Sequence, residues 1–372
     1  MTSRAEVEEA ALAVRRWAES AGVFSQGRAG GTAPQTDLAA APSMFAAGAA
    51  ETFAFKPITA VGFAASGRRE PRVFIYTRRK LTKAEEASQR DNGLSVPVEF
   101  RVAQPFAVAS PSTAARFPAM FAGKRLTCGS SISVGNAREA GTLGALLVDP
   151  AGAYFGLSCN HVTGGCSNAR LDLPIVAPAI LDVGAGSPFP RTIGLHRRAL
   201  PFVPGDPTSV PAYVDNSDAA VFSILDPERT SSRQGDAYDT PARAEDPTED
   251  APVEKVGRTT RHSSGFVESR LVGPQRIDYN VTVYHSAEEN IAFRGSLFFD
   301  PIYILRGLGG TFAMEGDSGA LVVDTATPDD PAAVGLVIGG RGNEETYMIP
   351  LKPILERLDM TLVSGHGLDR PA

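Results

Sequence analysis

The sequence predicts a mainly β protein: two Greek-key β-barrels in tandem, preceded by an N-terminal helix and a small α/β subdomain. Three observations carry that expectation. The 37 glycines and 28 prolines among 372 residues cut the chain into short segments. Short apolar or alternating runs recur from residue 127 onward, which is strand periodicity and not helical periodicity. And Glu315-Gly316-Asp317-Ser318-Gly319 leads directly into the apolar run Ala320-Leu321-Val322-Val323, a glycine-bracketed turn anchored on a strand.

Taken in order, Ser3 to Val23 reads as a helix. Ser3 and Glu6 form a capping box, and Val7, Ala11, Val14, Ala18 and Ala21 recur along one face. Residues 24–52 run through Gly, Ala, Ser and Pro with little periodicity, so 1–52 is expected to be a helix followed by a flexible linker. Ile58–Ala64 and Arg72–Thr77 read as strands, Lys80–Gln89 as a short helix and Val96–Val102 as a half-buried strand. Together they predict a β-β-α-β subdomain over 53–110. The basic cluster Arg78-Arg79-Lys80 reads as a solvated strand end.

Residues 111–372 are expected to form the barrel domain, with the first barrel at about 127–225. Asp226 to Glu254 holds nine acids against three arginines with no apolar period, and reads as an exposed connector over 226–254. The second barrel is expected at about 255–350. Its strands are placed at Phe266–Val272, Asp278–Tyr284, Phe293–Phe299, Ile302–Arg306, Ala320–Val323, Val334–Ile338 and Thr346–Ile349. A closing helix is expected over 351–360.

Chemistry concentrates at Ser318. Flanking glycines expose its hydroxyl and let the amides of Gly316 and Ser318 converge, as a site for a tetrahedral oxyanion requires. The plain alternative is a surface turn, since Gly, Asp and Ser are common turn residues. Upstream residues favour the first reading. Of five histidines, only His161 ends an apolar strand-like run, Ala153 to Val162. His196, His262, His285 and His366 read as surface or satisfied histidines. Asp218 opens the apolar strand of Asn216 to Phe222, where a carboxylate can accept an imidazole N–H. Asp215, on the loop side, is the competitor.

In the order His, Asp, Ser, and in these contexts, the chain resembles the chymotrypsin/trypsin-like serine peptidases. The residues that carry the resemblance are Leu157-Ser158-Cys159-Asn160-His161, Asp218-Ala219-Ala220 and Gly316-Asp317-Ser318-Gly319. Gly335 to Gly340 resembles that family's substrate-binding strand. Thr346 to Pro350 and Leu351 to Leu358 resemble its closing strand and C-terminal helix. Within the family the chain is most similar to the group that includes the plant narrow-leaf protease and its bacterial relatives. The similarity lies in Gly141-Thr142-Leu143-Gly144, Val256-Gly257-Arg258-Thr259-Thr260 and the N-terminal β/α segment, and it covers about residues 55–362.

The resemblance implies a serine endopeptidase with protein substrates and neither metal nor organic cofactor. His161 would be the general base, Asp218 its orienting acid, Ser318 the nucleophile, and the amides of Gly316 and Ser318 the oxyanion hole. Phe312, Ile338, Gly339 and Gly340 would contact substrate, with Phe312 at the pocket base and the two glycines leaving its entrance open. An uncharged P1 residue is expected; an acidic pocket built from Glu344 and Glu345 is the alternative. Many such enzymes are zymogens in which a new amino terminus pairs with the aspartate before the serine, here Asp317. No basic residue precedes a suitable start, and Ile132-Ser133-Val134-Gly135 follows serines. Asp317 therefore needs another partner, or the loop Gly307 to Gly316, with four glycines, awaits ordering by a ligand.

Composition narrows the class. A net charge of −6 gives no reason to expect nucleic acid. No apolar run is long enough to cross a bilayer as a helix, and the N-terminus has no apolar h-region. The odd, low count of Cys128, Cys159 and Cys166 reads as free thiols in a reducing, cytoplasmic compartment. A Cys159–Cys166 bridge around His161 is the alternative, and no second ligand pair is spaced for a metal. Asn280-Val281-Thr282 matches a glycosylation acceptor but reads as strand sequence. A homo-oligomer is left open. Two other functions compete with the endopeptidase: a partner-binding scaffold that does not cleave, and an esterase using the same three residues.

Overall fold

Six largely buried strands close into a barrel in the second half of the chain. They are Pro252–Gly257, Arg261–Leu271, Tyr303–Gly307, Leu321–Asp324, Ala332–Arg341 and Glu345–Pro350. Closure comes from the long strand Arg261–Leu271. It pairs antiparallel with Tyr303–Gly307 on one edge and, through Val253 opposite Gly265 and Lys255 opposite Ser263, with Pro252–Gly257. Alternate residues point inward, and Val253, Val267, Leu305, Val322, Val337 and Met348 fill the interior. The computed structural model describes residues 2–368 apart from 26–44, 46–47, 68, 91–93, 95, 104–105, 110, 112, 116–118, 136, 185–188, 204–215, 287 and 342–344. Asp215 and Glu344 thus lie outside the described residues.

The first half of the barrel domain is an eight-stranded antiparallel sheet. In spatial order it runs Thr361–Leu362, Ala145–Val148, Tyr154–Ser158, Ala220–Ile224, Arg191–Ala199, Pro174–Ala177, Ser131–Val134, Gly141–Thr142. As a half-barrel it wraps a core of Ile132, Leu143, Leu146, Ile175 and Phe222. The chain is therefore mainly β and of the two-barrel class that the sequence predicts. The closing helix is Lys352–Leu358.

Three expectations need correction. The N-terminal region does not stand apart. Ile58–Ala64 pairs with the end of the barrel strand, Gly62 opposite Leu271, and Arg72–Thr77 and Val98–Val102 extend the same sheet to nine strands. The helix Arg4–Ser20, with its Ser3–Glu6 capping box, lays Val7, Ala11, Val14 and Ala18 on Val61, Phe63, Val73 and Ile75. The boundary expected at residue 52 falls inside a second helix, Ala49–Phe55, whose Phe53 packs with Trp17 and Phe45 at ring separations of 5.9 and 6.0 Å. An open sheet face has to be covered, and this short, alanine-rich helix helps cover it. Phe24 bridges to Ile58, and residues 26–44 and 46–47 of the expected linker lie outside the described residues.

The segment 226–254 is not an exposed connector. Thr230–Gln234 pairs in parallel with Arg125–Cys128, and Thr230, Ser231, Ser232 and Gln234 are at most 3 % exposed. Several of its polar groups have internal partners. Gln234 Nε2 donates to the Gly144 carbonyl at 2.8 Å, and Arg4 makes a two-pronged ion pair with Glu249 at 2.6 and 2.8 Å. Arg72 pairs with Asp250 at 2.8 Å. Acids that suggest solvation in the sequence are neutralised by arginines of the N-terminal unit.

The runs Asp278–Tyr284 and Phe293–Phe299 are not barrel strands. They belong to a long hairpin, Gln275–Tyr284 with Asn290–Phe299, which pairs in parallel with Phe106–Ala109. Pro252–Gly257, half of it in the expected connector, takes their place in the barrel. Phe106 meets the Tyr347 ring edge-on at 4.4 Å, so this extra three-stranded layer is seated against the second barrel.

Candidate active site

Strand register brings His161 to Asp218. Tyr154–Ser158 and Ala220–Ile224 are antiparallel neighbours with Ser158 opposite Ala220. His161 follows the first strand on the one-turn helix Asn160–Thr163, and Asp218 immediately precedes the second. The Asp218 carboxylate, with no solvent exposure, lies 2.6 Å from His161 Nδ1 through Oδ2 and accepts the His161 backbone N–H at 3.0 Å through Oδ1. Tyr279 donates its hydroxyl to Oδ2 at 3.0 Å, and its ring stands edge-on to the imidazole at 5.9 Å. Burial, reinforced by the Asp218 charge, raises the Tyr279 phenol well above its usual pKa, so it stays a donor. A carboxylate with three donors around it holds the imidazole in the Nδ1–H tautomer. Among the described residues, Nε2 has no hydrogen-bond partner.

Ser318 enters from the other barrel. Gly316 and Gly319 both have φ of +94°, a region that favours glycine. A Cβ on Gly319 would lie 2.5 Å from Ser158 Oγ and from the Thr142 carbonyl. The serine turn is thus pressed against the end of the strand that carries His161, and Thr142 N–H donates to the Ser318 carbonyl at 2.9 Å. Ser318 and His161 are each 7 % exposed. The Ser318 hydroxyl donates to the Ile338 carbonyl at 3.5 Å, and no Ser318–His161 hydrogen bond forms. Neither the Gly316 N–H nor the Ser318 N–H has an acceptor among the described residues. Two unpartnered amides beside a serine are what an oxyanion site needs.

Asp317 has found its partner. Its buried carboxylate accepts from Lys255 Nζ at 3.2 Å, Thr260 Oγ1 at 2.7 Å, and the N–H groups of Thr259, Thr260 and Met314 at 2.7, 3.2 and 3.0 Å. Lys255 is equally buried and also bonds Thr260 Oγ1 and the Arg261 carbonyl. Burial lowers the Lys255 pKa, and the Asp317 charge opposes that. Asp317 is thus paired internally with an ammonium, and the loop before Ser318 is tied down.

Phe312 is 2 % exposed and packs in the barrel interior, 5.9 Å from Lys255 Nζ. Ile338 is buried, Gly339 half-buried and Gly340 exposed, so the strand runs outward from Ser318. A Cβ on Gly339 would lie 3.4 Å from Val108 Cγ2, which places Phe106–Ala109 beside that strand. Glu345 is buried and ion-paired to Arg306 at 3.2 Å, so it is not a free acid for a pocket. His262, His285 and His366 have partners in Glu254, Asn168 and Pro227. His196 corrects the expectation: it is 3 % exposed, its Nδ1 has no partner among the described residues, and burial lowers its pKa to about 4. Cys128, Cys159 and Cys166 are all buried free thiols. Cys159, His161 and Asp218 place ligand-type atoms within 4.8 Å of one another. The histidine and aspartate are bonded to each other, however, and Cys159 Sγ donates to the Val337 carbonyl at 3.2 Å. This is close packing around the pair and not a metal centre.

Sequence reasoning missed Tyr279, Lys255 and Thr142. Lys255 had a signal: it alternates with Val253 and Gly257 on the inward face of a strand, where a charge demands a buried partner. Tyr279 had none, because nothing in its spacing links a distant hairpin to Asp218.

No family model matches the chain, and no curated protein matches it. Among solved structures it is similar to protease A of Thermobifida fusca at 16% identity and a TM-score of 0.39, over 64% of this chain and 98% of that one. It is similar to the Nocardiopsis protease at 17% identity and 0.38, over 63% and 97%. An α-lytic protease homologue, N4, matches at 22% identity and 0.38, over 63% and 97%. At these scores the fold assignment rests on the chain's own strand pairings.

Proposed function

We propose that this chain is a serine endopeptidase that cleaves protein partners through an acyl-enzyme. The observation that carries the reading is the buried Asp218–His161 pair at 2.6 Å, set against a glycine-bracketed serine whose neighbouring amides are unpartnered. Rotation of the Ser318 side chain takes its hydroxyl from the Ile338 carbonyl to His161 Nε2. Such contacts commonly tighten only once substrate is bound. Nε2 accepts the proton as Oγ attacks the carbonyl carbon. The carbonyl electron pair moves onto oxygen, which the Gly316 and Ser318 amides stabilise. Collapse expels the amine, which takes the proton from His161. Water then repeats the sequence on the ester and releases the acid. Asp218 remains ionised and stabilises the imidazolium.

The edge Ile338–Gly340, leading outward from Ser318, is the segment along which an extended peptide would pair. Kinship with the narrow-leaf group, supported by Gly141 to Gly144 and Val256 to Thr260, is part of the proposal, as is a cytoplasmic setting. The test is labelling with a fluorophosphonate followed by intact-mass analysis, then turnover on a protein panel and on simple esters. Stoichiometric labelling at Ser318 with protein cleavage is the expected result. Ester turnover without protein cleavage would favour the esterase, and no labelling would leave a scaffold. Ser318→Ala and His161→Ala are each expected to lower turnover on the order of 10⁶-fold with the fold intact.

A further inference from the structure

The Glu315–Gly316 peptide has to keep its N–H in one direction, yet its glycine can adopt either hand of φ at little cost. A planar trans peptide points its C=O and N–H in opposite directions. Whatever holds the Glu315 carbonyl therefore aims the Gly316 amide. That carbonyl accepts the Thr259 hydroxyl at 2.7 Å. Thr259 is itself fixed: its backbone N–H donates to Asp317 Oδ1 at 2.7 Å, and Arg258 Nη1 donates to its Oγ1 at 3.0 Å. Arg258 is anchored in turn on Asp182 of the other barrel, with Nε to Oδ2 at 2.8 Å. The next peptide is held from the opposite side, where Thr142 Oγ1 donates to the Gly316 carbonyl at 2.9 Å and accepts the Arg258 N–H at 3.0 Å. The fit is tight: a Cβ on Gly316 would stand 2.6 Å from Arg258 Nη1 and 2.7 Å from Thr259 Oγ1.

We propose that Thr259 is a positioning residue whose hydroxyl latches the Glu315 carbonyl and thereby keeps the oxyanion site open before substrate arrives. The inference rests on the serine-hydrolase reading above. Lys255 and Asp317 fix the loop's position; Thr259 selects between two orientations of one peptide within it. Without the hydroxyl, the peptide can turn over, which removes the Gly316 donor and points a carbonyl at the developing negative charge.

The experiment compares wild type, Thr259→Val and Thr259→Ser on N-acyl-phenylalanine p-nitrophenyl ester, with active sites titrated by fluorophosphonate and folding followed by thermal melting. Thr259→Val is expected to lower kcat per titrated site at least about tenfold, with a ceiling on the order of 10³-fold set by loss of one oxyanion donor. KM should change less than about threefold, and Thr259→Ser should restore most of the rate. Affinity for a peptidyl boronate, which forms the tetrahedral adduct, should fall in parallel with kcat. If Thr259→Val does not melt cooperatively, Thr259→Ala takes its place under the same criteria. Unchanged kcat per titrated site, with or without loss of titratable protein, overturns the latch alone. A wild-type chain that neither labels nor turns over overturns the underlying reading and the latch with it.

Discussion

Replacing Lys255 by methionine removes the ammonium opposite Asp317 and keeps the length of the stem. Both partners are wholly buried, so the carboxylate left behind cannot recover its loss from water. Breaking a buried pair by removing one member costs about 3–5 kcal/mol. Asp317 keeps four other donors in Thr259, Thr260 and Met314, which argues for the lower end, about 3 kcal/mol. For a chain of this size that corresponds to roughly 4 °C in Tm. The carboxylate immediately precedes Ser318, so kcat should fall as well. The double variant Lys255→Met/Asp317→Asn leaves no buried charge and should recover most of the stability, giving a coupling energy of at least about 2 kcal/mol in a double-mutant cycle. Urea titration of the four proteins measures it. A single Lys255→Met variant within about 0.5 kcal/mol of wild type, or an additive double variant, would refute the argument that the two buried charges stabilise one another.

Other expectations follow from the same geometry. Tyr279→Phe removes one of three donors to Asp218, which should cost about 1 kcal/mol of stability. A Tyr279→Phe variant as stable as wild type in urea titration, with unchanged kcat/KM, rejects the contact. The lowered pKa of His196, about 4 against the usual 6.5, makes the unfolded chain bind the extra proton in that window. Stability is therefore complete above about pH 6.5 and declines by up to about 3 kcal/mol as pH falls toward 4. His196→Gln should flatten the decline in a melting series, and a slope unaffected by the substitution rejects the assignment. Burial pushes the Cys128 thiol up to about 12 and raises Cys159 and Cys166 too. Ellman titration should be slow on folded protein and reach three thiols in denaturant; one thiol would mean a bridge.

What was legible in the sequence is what local pattern encodes. The capping box at Ser3 and Glu6, the strand at Ile58–Ala64 and the glycine turn at Ser318 depend on neighbours a few residues apart, and each is found where the pattern places it. His161 and Asp218 were legible because each adjoins a strand, and paired strands bring such positions together. The hairpin Gln275–Tyr284/Asn290–Phe299 alternates just as a barrel strand does, so alternation cannot say which layer it joins. The acids of 226–254 look the same in sequence whether water or Arg4 and Arg72 neutralise them, since the arginines lie more than a hundred residues away. The partner of Asp317 was undetermined for the same reason: a lysine 62 residues upstream becomes a neighbour only when the barrel closes.

The strand Phe106–Ala109 reaches the cleft through main-chain bonds to the hairpin strand Gln275–Tyr284. One edge pairs Val108 with Tyr279, whose hydroxyl reaches Asp218, while Val108 itself abuts Gly339. A residue pressing on Val108 from the Ile338–Gly340 side would therefore press on the strand partner of Tyr279, two steps from the Asp218–His161 pair.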